Sequence, residues 1–316
     1  MQRRASLVLR RRVIGVGRGA LTPVALALFL IGATAPTLAG TLDRVREQGK
    51  LTLGYRSDAR PFSYEDESGK AAGYSVVLCE KVADAVKAES GLGQVAVEYV
   101  KVASSDRLDA LGEGTIDVLC GAATATLERR TKVAFSIPIF PSGIGALLRK
   151  DAPERLKDAL EGREPPYRPL WRASLAQVLE KRVLSARAGT TAESWLVQKR
   201  DEFNVNAEIV TVKTYPDGVD RVLGRRSDVL FGDRAILLDA AARGSAAGDL
   251  IVLARQFTYE PIALASVRGD EDFRLLVDRV LSRLYRSGEI GVIYTKFFGE
   301  PDASALEFFR FVALPE

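Results

Sequence analysis

The residues of this 316-residue chain best suited to chemistry are arginines, hydroxyls and a carboxylate, each placed just past an apolar run. Arg56 and Asp58 follow Lys50–Gly54, Ser104 and Arg107 follow Val95–Val102, and Thr124 and Arg129 follow Ile116–Cys120. In the second half, Thr190 and Thr191 follow Val183–Ala188, and Asp233 follows Asp228–Phe231. A guanidinium fork can give a carboxylate two parallel charge-assisted hydrogen bonds. Taken singly, each residue has a plainer use. Ser104, Thr124, Asp233 and the Gly189 triplet could be turns or helix caps, and the arginines surface charges or partners of Asp58 or Asp106. Their shared position at strand ends, in both halves, points to a site, because α/β sheets bind ligands there.

Much other chemistry is excluded. The chain has no histidine, which removes Ser-His-Asp and Cys-His catalysis and His-ligated zinc. Two cysteines cannot complete a structural zinc site, so no metal site is expected, and no cofactor. In an oxidising compartment Cys79 and Cys120 are expected to pair, the alternative being two buried thiols.

The elements that must position these groups alternate in type. Strands are predicted at Lys50–Gly54, Val95–Val102, Ile116–Cys120 and Gly143–Leu148, with helices at Gly73–Lys87 and Arg107–Gly112 between them. After a Pro-containing section with a helix at Pro153–Leu160, the pattern resumes. Strands are predicted at Val183–Ala188, Glu208–Val212, Asp228–Phe231, Leu250–Ala254 and Glu260–Val267. The intervening helices are Thr191–Lys199, Asp217–Leu223 and Ala235–Ala242, and Glu271–Arg286 and Ile290–Phe297 close the chain. This order implies an α/β fold of parallel, doubly wound sheets in two similar halves.

Residues 1–39 have the three parts of a secretory signal: six arginines without an acidic residue, an apolar run from Leu21 to Gly32, and a small-residue exit ending at Ala39. The apolar run is short of the roughly 20 residues a membrane anchor needs. Without this segment 39 basic residues face 41 acidic ones, so the basic pI belongs to the part removed. No nucleic-acid partner is expected, and a monomer in the periplasm is.

From Thr41 onward the chain resembles the periplasmic solute-binding proteins of polar amino-acid ABC importers, family 3. The resemblance is carried by Pro61-Phe62-Ser63-Tyr64, Gly73-Tyr74, Gly114-Thr115-Ile116-Asp117, Thr126-Leu127-Glu128-Arg129 with Phe135-Ser136, Gly189-Thr190-Thr191 and Ser287-Gly288. It implies a two-lobed fold of type II, two doubly wound sheets joined by two hinge strands. Lobe 1 would be 40–147 with 262–316, lobe 2 would be 148–261, and the crossings would lie near Gly143–Arg149 and Pro261–Val267. It further implies an amino acid held between the lobes and delivered to a membrane permease. Arg129, with the Thr190-Thr191 helix start, would hold the α-carboxylate, and Asp233 with Thr124 the α-ammonium. Arg56, Ser104 and Arg107 match positions found in glutamate- and aspartate-binding members, so an acidic side chain is expected. Tyr215 is the nearest second-lobe candidate to join them. Two rivals differ in class: a periplasmic dehydratase of the same fold acting on an aromatic precursor, which needs a general acid or base in the cleft, and a ligand-sensing module for a receptor.

Overall fold

The computed structural model describes residues 40–163, 178–243 and 248–316. The export segment at 1–39 and the Pro-rich stretch at 164–169 lie outside the described residues. The described residues form fourteen strands and eleven helices, two of the helices only four residues long. The strands are β1 (Lys50–Tyr55), β2 (Asp58–Ala59), β3 (Ser63–Glu65), β4 (Ala71–Ala72), β5 (Ala96–Lys101), β6 (Val118–Thr124), β7 (Val133–Phe135), β8 (Phe140–Ser142), β9 (Ile144–Arg149), β10 (Val183–Arg187), β11 (Glu208–Val212), β12 (Val229–Asp233), β13 (Leu250–Val252) and β14 (Glu260–Val267). The helices are α1 (Thr41–Gln48), α2 (Tyr74–Ser90), α3 (Asp109–Gly112), α4 (Leu127–Arg130), α5 (Glu154–Glu161), α6 (Thr191–Glu202), α7 (Tyr215–Leu223), α8 (Arg234–Ala242), α9 (Glu271–Ser287), α10 (Glu289–Phe298) and α11 (Ala303–Val312).

Two sheets carry the architecture. The first runs β5-β1-β6-β14-β7, with β8 also paired to β14; the second runs β11-β10-β12-β9-β13. Each is mixed, where the sequence predicts a parallel sheet. β1 is parallel to β5 and β6, and β10 is parallel to β11 and β12. β14 is antiparallel to β6, and β9 is antiparallel to β12 and β13. The reason is topological: β9 and β14 each enter their sheet from the other one, without the helical crossover that makes a strand parallel. β9 is paired with the second sheet from Ile144 onward, and β14 with the first from Glu260, so the chain passes between sheets at Gly143 and again between 253 and 259. The small β2-β3-β4 sheet was not predicted; strands of two or three residues are too short to show a period. Helix α7 starts two residues before its predicted Asp217, because Thr214 and Asp217 cap it reciprocally: Thr214 Oγ1 accepts from the Asp217 N–H at 3.2 Å, and Asp217 Oδ2 from the Thr214 N–H at 3.1 Å.

Packing anchors both crossings. In the first lobe α2 and α9 bury Leu78, Val82, Phe273 and Leu281 against the sheet. An aromatic cluster holds β8 just before Gly143, with Phe140 5.0 Å from Phe62 and 4.6 Å from Phe298 between ring centroids. In the second lobe Phe257, on the returning crossing, packs 5.2 Å from Trp195 and 5.6 Å from Phe231. The two crossings touch: the Phe257 N–H donates to the Ile144 carbonyl at 2.8 Å, and a Cβ at Gly143 would collide with the Thr258 carbonyl oxygen. Only glycine fits there.

Cys79 on α2 and Cys120 on β6 form the expected disulfide, with Cα atoms 6.0 Å apart and both residues fully buried. It closes a loop of 41 residues, for which loop-entropy loss in the unfolded chain amounts to about 4 kcal/mol. Urea unfolding with and without reductant is expected to differ by about that much; a difference under about 1 kcal/mol would show that helix and strand stay docked in the unfolded ensemble.

Candidate functional site

The strand ends of both sheets meet in one cleft. At the end of β1 the Arg56 side chain is 2% exposed. Its stem passes over Gly121, where a Cβ would sit 3.6 Å from Arg56 Cδ. Its backbone N–H donates to Ser63 Oγ at 2.9 Å, and Nη2 donates to Asp58 Oδ1 at 3.1 Å. After β5, Ser104 lies buried and accepts from Arg107 Nη1 at 3.0 Å. Ser104 therefore holds Arg107 and does not line the cavity itself, unlike the other predicted site residues.

Arg129 reaches the cleft because Thr126 caps α4, its Oγ1 accepting from the Arg129 N–H at 3.1 Å. Its guanidinium donates from Nη1 to the Thr124 carbonyl at 2.9 Å and from Nη2 to the Gly189 carbonyl at 3.4 Å. Arg107 Nη2 donates to the same Gly189 oxygen at 3.2 Å. Two first-lobe cations thus converge on the turn that opens α6 in the second lobe.

On the second-lobe side, Thr190 caps α6, accepting from the Glu193 N–H at 3.3 Å, while Thr191 donates to Glu260 Oε2 at 2.7 Å. Asp233 caps α8, its Oδ1 accepting from the N–H groups of Ala235 at 3.0 Å and Ile236 at 3.3 Å. Its other oxygen accepts from Ser142 Oγ at 2.5 Å. Capping and lining the cleft are therefore not alternatives for Thr190 and Asp233; one geometry serves both. Tyr215 also lines the cavity.

Sequence reasoning missed two charged groups, Glu260 in the cavity wall and Arg187 beside it. Glu260 lines the cavity at the start of β14, where the strand pattern gave no hint of a ligand end. Arg187 ends β10, 5% exposed, with Nη2 2.8 Å from Asp58 Oδ2. Its signal was legible as a charge inside an otherwise uncharged run, Val183-Leu184-Ser185-Ala186.

The electrostatics are one-sided. The cavity is lined by Arg56, Arg107 and Arg129 against Asp233 and Glu260, and the adjoining Arg187–Asp58 ion pair adds one charge of each sign, so cations exceed carboxylates by one. Burial, then the Arg129, Arg56 and Arg187 charges, push Arg107 down to about 9, still charged at neutral pH. Burial lowers Arg129, with Arg56 adding and Glu260 opposing. Burial raises the Asp233 carboxyl to about 6, against the Ser142 hydroxyl and the two backbone donors. Among the described residues, Arg56 Nε, Arg107 Nε and Arg187 Nε and Nη1 are buried without a hydrogen-bond partner. Orphaned buried donors of this kind cost about 1–3 kcal/mol each, and an anion entering the cleft would relieve them.

A family model, bacterial extracellular solute-binding proteins, family 3, matches residues 51–300. An L-glutamate/L-aspartate-binding protein of Pseudomonas aeruginosa is 32% identical over 281 residues, covering 89% of this chain and 87% of its own. A glutamate/aspartate import solute-binding protein of Escherichia coli is 27% identical over 84% of this chain and 82% of its own. Among solved structures, a mutant of ArgBP from T. maritima superposes with a TM-score of 0.66 at 25% identity, covering 82% of this chain and 99% of that one.

Proposed function

The chain belongs to the bacterial extracellular solute-binding proteins of family 3, and from that premise we propose that it captures an acidic amino acid between its lobes in the periplasm and presents it to an ABC-importer permease. It is a binding protein and not an enzyme. The observation that carries the acidic ligand is the surplus of buried guanidiniums over carboxylates, with orphaned donors. Glutamate or aspartate carries a net charge of −1 and would make the cleft neutral. Two relatives named for these amino acids support the same ligand.

Each residue has a role in this reading. Arg129 takes the α-carboxylate in its fork, aided by the α6 N-terminus at Thr190 and Thr191. Asp233 takes the α-ammonium, with Thr124 beside it and Glu260 contributing charge nearby. Arg56 and Arg107, the latter steadied by Ser104, take the side-chain carboxylate. The lobes close about the crossings at Gly143 and 253–259, and ligand contacts from both sides favour the closed state that a permease recognises.

A ligand that binds only the folded state raises its melting temperature, by an amount set by concentration over Kd. In a thermal-shift screen of the chain from residue 40 against amino acids and dicarboxylates, L-glutamate and L-aspartate are expected to give the largest shifts. A largest shift from a basic or neutral amino acid, with none from either acidic one, overturns the ligand.

A further inference from the structure

Arg187 contributes a charge to the acidic-ligand reading from a position that the ligand roles leave unused. It is the last residue of β10 in the second lobe, and its partner Asp58 belongs to the first. Asp58 is shared: Oδ1 accepts from Arg56 at 3.1 Å while Oδ2 lies 2.8 Å from Arg187. Two nitrogens of Arg187 remain buried without partners, and its guanidinium carbon lies 5.9 Å from the Tyr215 ring centroid. Burial, and next the charge of Arg56, push Arg187 down.

Hinge motion of the proposed kind would change this compartment's charge. Opening would carry Arg187 off with the second sheet and leave Asp58 to Arg56 alone. Closure adds a third guanidinium to a desolvated space that already holds Arg56 and Arg107, with one carboxylate among the three. Like charges out of water repel strongly, so closing over a neutral side chain leaves positive charge uncompensated. A side-chain carboxylate supplies the missing anion. Discrimination of this kind comes from the repulsion set against the wrong ligand as much as from attraction to the right one.

We infer that Arg187 is a specificity-determining residue: brought to Asp58 by closure, it makes the closed cleft accept only a ligand with an anionic side chain. This rests on the acidic-ligand reading.

Calorimetric titration of L-glutamate and L-glutamine into the wild-type chain, Arg187→Met and Arg187→Gln separates the possibilities. Loss of the charge is expected to shrink the glutamate-over-glutamine preference about tenfold or more, with glutamine bound as well as or better than by the wild type. Two uncharged variants guard against one failing to fold, checked by circular dichroism. If Arg187 and Asp58 only latch the lobes together, both ligands weaken by the same factor and the preference stands, which overturns the inference. A wild-type chain that binds neither glutamate nor aspartate instead removes the ligand assignment itself, and that arm is read before any variant.

Discussion

Arg129→Ala is expected to weaken binding of L-glutamate and L-aspartate alike by about 10²–10⁴-fold, read by isothermal titration calorimetry. The magnitude follows from geometry. The guanidinium bonds only to two neutral backbone carbonyls, Thr124 at 2.9 Å and Gly189 at 3.4 Å, and has no ion-pair partner among the described residues. Its charge is therefore available. A carboxylate in the fork gains two charge-assisted bonds, each worth about 1.5–3 kcal/mol. Uniformity across ligands is the sharper test, because the α-carboxylate is common to all amino acids. Arg107→Met should instead weaken the acidic ligands selectively. Arg129→Lys keeps the charge but not the fork, and should fall between wild type and alanine. The apo protein should not lose stability, since burial already disfavours the charged Arg129. Affinity within threefold of wild type for Arg129→Ala would place the α-carboxylate elsewhere.

How far the sequence reached depended on the length over which each feature is written. Helices α2 and α9, of 17 residues each, repeat their apolar positions for several turns and were found within a few residues of their ends. Strand β5 lies where the sequence places it, but its exposure does not alternate: Glu98 and Tyr99 are neighbours and both exposed. The directions of β9 and β14 were not legible, because periodicity fixes a strand's faces and not its neighbours. The site followed the same rule. Residues after a strand, such as Arg56 and Arg129, stand out because turns are read separately from runs. Arg187 and Glu260 sit within the runs themselves, where pairing with a residue 129 positions away in Asp58's case decides their meaning. The Arg56–Asp58 contact was weighed from sequence as a competitor to ligand binding; the structure makes it a shared carboxylate between two lobes.

Asp233→Asn is the substitution expected to move binding and stability in opposite directions. Burial holds this carboxyl at about 6, above its ordinary 3.8. The folded protein thus takes up a proton more readily than the unfolded chain. The stability linked to that proton is fully present below pH 4, is lost as pH rises through about 6, and leaves the ionised group a net cost at neutral pH. The two pKa values set an upper limit of about 3 kcal/mol on this cost; the residue is partly exposed to the cleft, so about 1–2 kcal/mol is the expected size. Asparagine keeps an oxygen to accept from the N–H groups of Ala235 and Ile236, so the α8 cap survives. The apo variant should therefore melt higher than wild type at pH 8 and gain little or nothing at pH 4.5. Binding should behave oppositely. An α-ammonium left without its buried carboxylate costs about 3–5 kcal/mol, a loss of at least about 10²-fold in affinity. The wild type should itself lose affinity below pH 6, by up to about tenfold per unit, as the carboxylate that must face the ammonium is protonated. The variant's weak residual affinity should be flat over the same range. Melting curves and titrations at three pH values test both halves. A variant that binds like wild type removes Asp233 from the ammonium site, whereas one that is destabilised at pH 8 shows that the ionised carboxylate is needed for the cap. On the proposed assignment, the carboxylate is costly on its own because it would be held ready for the ammonium that the ligand brings.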